Sequence, residues 1–270
     1  MPYVQVGDHA LSWRRRGAGP PLLLVQGMAG HHALWGEAFL AALAADFDVV
    51  TFDHRGIGAD RDGPDAVGDF TVADLAADAA AVLDVVGWDD AHVLGISLGG
   101  MVAQELALGR PERVRSVVLG CTYAGGAGAT LDAPGPLRLL QAMQLAATTG
   151  TVENAVRTAY EVNLSPAFRA DDTQFAAFAA ASLAVRVPMP VVLQQAKAVF
   201  GHDTSGRLPG LAAPTLVVHG TADQMIGYAN APVIADLVPR ATLRPLDGVG
   251  HLLWWEQPGV TAGLVREHCR

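Results

Sequence analysis

The sequence has little lysine, little cysteine and no long apolar run. Its two cysteines, Cys121 and Cys269, are far apart, which suits neither a disulfide framework nor a metal-ligand spacing and predicts a reducing compartment. Lys197 is the only lysine among 18 basic residues, against 27 acidic ones, and the net charge of -9 argues against nucleic-acid binding. Strongly apolar runs such as 21–25 are far shorter than the roughly 20 residues that cross a bilayer. The first residues also lack a signal-peptide pattern, so we expect a cytoplasmic protein that does not act at a membrane.

The abundant pattern is an alternation of short apolar runs with helix-like segments. With 51% hydrophobic residues, the chain of 270 residues has ample material for a core. Helical spacing is clearest at 34–45, 71–86 and 98–108, and Thr71 with Asp74 predicts a capping box. The runs predicted as strands are 3–6, 10–14, 22–26, 47–52, 91–95, 114–120, 214–220 and 241–246. This order predicts an α/β fold in which helices flank a mostly parallel, eight-stranded sheet.

The segment 122–207, called the cap below, interrupts this alternation. It is rich in alanine and contains helix-like stretches at 136–147, 151–162, 171–185 and 191–200, with no convincing strand. It follows the sixth predicted strand, so we expect a helical lid inserted there. Residues 1–121 and 208–270 would together form the core of the fold.

The pattern Gly-x-Ser-x-Gly at 95–99 is the sharpest chemical signal. It lies between a predicted strand and a predicted helix, which is the context in which a serine sits on a tight turn with its hydroxyl exposed above the sheet. The helix that follows directs amide donors and the positive end of its dipole to the same place. Ser97 is therefore the candidate nucleophile.

A nucleophilic serine needs a base, and the base needs an orienting acid. His251 follows the last predicted strand, and Asp223 follows the strand before it. Asp247 is closer to His251 but is interpreted as a turn residue, and the sixth strand is followed by Cys121 and no carboxylate. The chain order Ser97, Asp223, His251 is the one expected for α/β-hydrolases.

Backbone amides beside Ser97 are the expected stabilisers of a tetrahedral oxyanion. One donor should be the N–H of Leu98, and the other should come from the loop after the third strand, with Met28 preferred over Ala29. Gln26 precedes this loop, and its side chain either braces the loop or touches substrate.

These motifs resemble the α/β-hydrolase superfamily over nearly the whole chain, within it the bacterial esterases, 3-oxoadipate enol-lactonases and cofactor-free haloperoxidase-like hydrolases. The resemblance rests on Gln26-Gly27-Met28, on Asp53-His54-Arg55-Gly56-Ile57-Gly58, on the serine motif, and on the Asp223 and His251 segments. It implies a Ser-His-Asp hydrolase of small or medium apolar esters or lactones that needs no cofactor. It also implies that Asp53 and His54 form a structural turn. A serine at 97 sets the chain apart from the dehalogenases and epoxide hydrolases of this fold, which use aspartate.

The substrate is expected to meet residues of the core and of the cap. We predict that Gln26, His31, Trp35, Met143 and Trp254 contact it, and the histidines lack the spacing of a metal site. The same triad would serve a carbon–carbon bond hydrolase acting on a diketone, or a thioesterase. A ligand-binding receptor with an idle triad is the alternative from another class. The sequence does not decide whether the protein is a monomer or a homodimer.

Overall fold

Eight strands form one sheet in the order β1-β2-β4-β3-β5-β6-β7-β8. The computed structural model describes residues 2–58, 68–171 and 173–270. Strand β2 is antiparallel to both of its neighbours, and all the pairs from β4 to β8 are parallel. The strands are β1 Tyr3–Val6, β2 His9–Gly17, β3 Pro21–Val25, β4 Asp48–Phe52, β5 Ala91–Ile96, β6 Val114–Gly120, β7 Thr215–Gly220 and β8 Ala241–Leu246.

Helices cover both faces of this sheet, which explains why its central strands are almost continuously apolar. The described helices are α1 Glu37–Ala44, α2 Val72–Val86, α3 Leu98–Gly109, α4 Gly135–Thr149, α5 Glu153–Asn163, α6 Pro166–Arg169, α7 Thr173–Leu183, α8 Met189–Phe200, α9 Asn230–Leu237, α10 Leu253–Glu256 and α11 Pro258–His268. Alternate residues of β3 enter two separate cores. Leu23 and Val25 pack with α2 and α3, whereas Leu22 and Leu24 pack with α1 and α11. The predicted α/β-hydrolase sheet is thereby confirmed.

Between β6 and β7 the chain forms helices α4 to α8 and no described strand. Part of the cap has a small core of its own, made of Val156, Tyr160, Leu164 and Phe178. Helices α1 and α7 both end before the last residue predicted for them, α1 at Ala44 in place of Ala45 and α7 at Leu183 in place of Val185. At 34–45 the structure has a 3₁₀ turn, His32–Trp35, and a separate α1, because Gly36 lies between them at φ +70.

None of the helices in the described ranges is long and apolar enough to cross a membrane.

Helix α2 begins with the predicted capping box, and this contact supports a specific prediction. Thr71 Oγ1 accepts from the Asp74 N–H at 3.3 Å, and Asp74 Oδ2 accepts from the Thr71 N–H at 2.7 Å. We expect Thr71→Ala to lower the free energy of unfolding by about 1 kcal/mol because the first turn loses an acceptor. Thr71→Ser, which keeps the hydroxyl, should lose much less. Urea unfolding of the three proteins measures the difference, and equal losses in both variants would contradict a role for the hydroxyl.

Candidate active site

Ser97 occupies a strained turn between β5 and α3. Its backbone lies at φ +57 and ψ -121, a region that residues with a side chain rarely enter. The Ser97 N–H donates to the Gly120 carbonyl at 2.9 Å, and the Ser97 carbonyl accepts from Gly100 and Met101 at 2.9 and 3.2 Å. These bonds hold the residue in a conformation that costs about 1–3 kcal/mol and that is concentrated at functional sites.

The glycines around Ser97 are required because backbones meet there. A Cβ at Gly95 would overlap the Gly99 carbonyl, and a Cβ at Gly99 would overlap the Val25 carbonyl. Gly27 faces the serine itself, since a Cβ built on it would lie 3.1 Å from the Ser97 Cβ. The loop after β3 and the serine turn are therefore in direct contact.

His251 and Asp223 form a buried pair at the same edge of the sheet. His251 Nδ1 lies 2.7 Å from Asp223 Oδ2, while Asp223 Oδ1 accepts from the backbone N–H groups of Met225 at 2.7 Å and Ile226 at 3.0 Å. A carboxylate can only accept, so Nδ1 carries the proton and Nε2 is left as the basic nitrogen. The hydrogen bonds between described residues do not include one from Ser97 Oγ to His251. Catalytic hydrogen bonds are often long before substrate binds.

Asp223 is charged although it is buried. Burial raises the pKa of its carboxyl, but the neighbouring His251 and His219, with their hydrogen bonds, lower it by more, so the net pKa is well below the usual range. The carboxylate is therefore ionised at neutral pH and able to stabilise a protonated His251.

Two further neighbours of Asp223 were not found by sequence reasoning. His219 Nε2 donates to the Ile226 carbonyl at 2.8 Å and lies 3.2 Å from Asp223 Oδ2. Cys121 is the other, and burial together with the charge of Asp223 raises the pKa of its thiol well above the usual value. Ligand atoms of these three residues lie within 4.8 Å of one another. A protonated thiol and an imidazole N–H that already donates to a carbonyl suit a hydrogen-bond network better than a metal.

Two backbone amides are available for an oxyanion. Neither Leu98 N–H nor Met28 N–H has an acceptor among the described residues. The alternative donor, Ala29 N–H, is already occupied, because it donates to Oε1 of Gln195 on α8 at 2.8 Å. This favours Met28 over Ala29, although the assignment of both donors stays a prediction.

The loop 27–30 is braced from beneath by residues after β3 and β4. Gln26 Oε1 accepts from the Gly27 N–H at 2.9 Å, and His54 Nε2 lies 2.9 Å from the Gln26 carbonyl. Asp53 accepts from the His32 N–H at 2.6 Å and from Ser12 Oγ at 2.7 Å. Asp53 and His54 thus lie in a supporting turn, and Gln26 braces the loop, one of its two predicted roles.

The other predicted substrate contacts lie in different surroundings. Trp35 and Trp254 are packed on each other, with ring centroids 5.1 Å apart, in the core beneath α1 and α11. We therefore leave both tryptophans out of the proposed site, because their surface is used in packing. His31 is fully buried, with Nε2 3.5 Å from the Ser182 carbonyl of α7. Met143 is partly buried on α4.

A family model of the α/β-hydrolase fold matches residues 20–258 of this chain. The chain belongs to that family. A protein of Azorhizobium caulinodans named as a carbamate hydrolase, RutD, is 29% identical over 270 residues, which is 100% of this chain and 98% of the relative. A hydrolase from Pseudomonas aeruginosa superposes with a TM-score of 0.83 at 28% identity, covering 99% of this chain and 97% of the other. The esterase RhEst1 from Rhodococcus superposes with a TM-score of 0.77 at 27% identity, covering 99% of this chain and 97% of the esterase. The predicted superfamily is confirmed, and a hydrolase is supported at this coarse level.

The charged state of Asp223 generates a prediction about stability. Because its pKa is lowered on folding, Asp223 contributes stability that is present above about pH 4, the usual pKa of unfolded aspartate, and is lost as the pH falls toward the lowered value. The difference in free energy of unfolding between the wild type and Asp223→Asn should therefore shrink as the pH falls below about 4.

Urea unfolding at about pH 6 and about pH 3 measures this difference. Asp247→Asn, which changes a nearby exposed carboxyl, is the matched control. If the difference between the wild type and Asp223→Asn stayed constant over this range, the pKa of the Asp223 carboxyl would not be lowered on folding.

Proposed function

We propose that the protein is a serine hydrolase that cleaves a carboxylic ester or lactone through an acyl-enzyme. The observation that carries this proposal is the buried Asp223–His251 hydrogen bond of 2.7 Å, at the sheet edge where Ser97 is held on its strained turn. An ionised acid that fixes the tautomer of a histidine is the arrangement a nucleophilic serine requires.

In the first step, Ser97 Oγ forms a bond to the substrate carbonyl carbon while His251 Nε2 takes the hydroxyl proton. The carbonyl π electrons move onto oxygen, and the N–H groups of Leu98 and Met28 stabilise that oxyanion. When the tetrahedral intermediate collapses, the bond to the leaving oxygen breaks, and His251 gives it the proton. Asp223 stabilises the imidazolium between these events.

In the second step, water replaces the alcohol. His251 takes a proton from the water as it attacks the acyl carbon, and the bond to Ser97 Oγ then breaks with return of that proton to the serine. For a lactone, the alcohol and the acid belong to the same product molecule. The described residues supply every proton transfer, so this scheme uses no cofactor.

Carbamate hydrolysis is a second candidate, favoured by the full-length similarity to the protein named RutD. The same residues would form a carbamoyl-enzyme in place of an acyl-enzyme. A thioester or diketone substrate would change the leaving group and leave the serine chemistry as it is. If the protein is instead a ligand-binding receptor with an idle triad, product formation should stop at about one molecule of product per protein molecule.

Steady-state hydrolysis of nitrophenyl esters of increasing chain length, γ-lactones and an aryl carbamate is the test. We expect multiple turnovers with at least one class, and Ser97→Ala should lower kcat by about 10⁶-fold, because the nucleophile is lost. Asp223→Asn should lower it by about 10⁴-fold. The surface variant Ser205→Ala, which loses a hydroxyl bonded to Asp203 at 2.6 Å, is the matched control.

Faster turnover of the carbamate than of every ester and lactone would replace the first candidate with the second. If the wild type shows no turnover and an organophosphonate fails to label Ser97, the serine mechanism is wrong. A single equivalent of product followed by saturation would favour the receptor.

A further inference from the structure

Two glutamines hold the loop 27–30, one from the core and one from the cap. Gln26 belongs to the core, and its side chain packs against Gly30, where a Cβ would come within 2.9 Å of Gln26 Oε1. Gln195 belongs to α8 of the cap and reaches the Ala29 N–H. Their exposed fractions are 3% and 0%.

The hydrogen bonds of the two oxygens settle how the amide groups are oriented. Each Oε1 accepts from a backbone N–H, at 2.9 Å for Gln26 and 2.8 Å for Gln195, so an amide flip would set two donors against each other. The other terminal atom of each side-chain amide is therefore Nε2, which is a donor. Neither has a hydrogen-bond partner among the described residues.

An unpaired, buried donor is costly, and most such groups in proteins have a partner. Here two of them belong to amides whose Oε1 atoms bind one short loop. That loop carries the proposed oxyanion donor, Met28, and touches Ser97 through Gly27. A substrate bound at Ser97 would bring its acyl group beside this loop.

We propose that Nε2 of Gln26 and Nε2 of Gln195 form a donor subsite that binds a second oxygen acceptor on the acyl side of the substrate. The inference rests on the proposed function and narrows its substrate class to acyl groups with an additional carbonyl or ether oxygen close to the scissile carbonyl. The bracing role of Gln26 and contact with substrate are then compatible, because they use different atoms of one amide.

The subsite suits a neutral acceptor better than a carboxylate. Both donors are uncharged, and burying a carboxylate without a cation is expensive. Asp53, which accepts from the His32 N–H just after the loop, is already engaged, since it lies 2.9 Å from His32 Nδ1 and 3.6 Å from Arg14. Burial lowers the pKa of His31, so its ring stays neutral.

The test uses a pair of nitrophenyl esters with the same shape, the methoxyacetate and the butyrate, which differ by one ether oxygen. The ratio of their kcat/KM values, divided by the ratio of their uncatalysed hydrolysis rates, gives a corrected preference. We expect the wild type to prefer the methoxyacetate by at least about tenfold after correction, because two buried donors gain an acceptor.

Gln195→Met and Gln26→Met each remove the Nε2 donor at similar side-chain volume, together with the Oε1 acceptor that holds the loop. Loss of the acceptor should slow both esters alike, whereas loss of the donor should lower the corrected preference roughly five- to tenfold. Gln194→Met changes the adjacent residue of α8, which bonds to Asp69 at 2.8 Å, and should leave the preference unchanged. If Gln26→Met fails to fold, the Gln195→Met and Gln194→Met pair decides the question.

The outcomes separate this inference from the function on which it rests. If both esters are hydrolysed and the corrected preference is near one, or is unchanged in Gln195→Met, the amides serve the loop alone and the subsite is wrong. If Gln195→Met slows both esters by the same factor, the corrected preference is unchanged, and Gln195 only holds the loop. The nitrophenyl half-ester of succinate, measured beside this pair, tests the charge of the acceptor. If the corrected preference favours it over both neutral esters, the inference that the subsite binds a neutral acceptor is wrong. If neither ester is hydrolysed and Ser97 is not labelled, the proposed function fails first.

Discussion

The arrangement at the carboxyl end of the sheet depends on keeping one buried carboxylate charged. Asp223 is 9% exposed and has little water to solvate it, so the protein supplies donors instead. Two come from backbone amides and one from His251, and His219 Nε2 lies 3.2 Å from the same carboxylate. This compensation fixes the direction of the His251 ring, and through it the nitrogen that remains to act as a base toward Ser97.

The cap stabilises both loops that would carry the chemistry. Glu256, directly after the His251 loop, accepts from the Gly250 N–H at 2.9 Å and also from the N–H of Ser165 in the cap at 2.7 Å. On the other side, Gln195 binds the loop that follows β3. The cap is thus linked to the His251 loop through Glu256 and to the loop 27–30 by a direct hydrogen bond.

Features set by local sequence could be predicted, whereas features set by tertiary contacts could not. The serine turn, the positions of the strands along the chain and the Thr71 capping box follow from residues close together in the chain, and spacing is enough to find them. His219 and Gln195 carry no such signal, because their partners lie in other elements. Trp35 and Trp254 are predicted from the sequence to contact the substrate but pack in the core, because aromatic composition does not distinguish a lining residue from a core residue.

On the proposed function, contact with the cap would let the substrate choice change while the serine turn stays the same. Ser97 and its glycines are fixed by backbone contacts within the sheet, where a Cβ is excluded, so this part tolerates little change. The cap meets the loops through side chains such as Gln195, which can be exchanged without altering the sheet. Since Gln195 also holds the loop 27–30 in place, we expect a substitution there that changes selectivity to change catalytic rate as well. On the proposed function, we expect selectivity and rate to be coupled through the loop 27–30, and not through the serine itself.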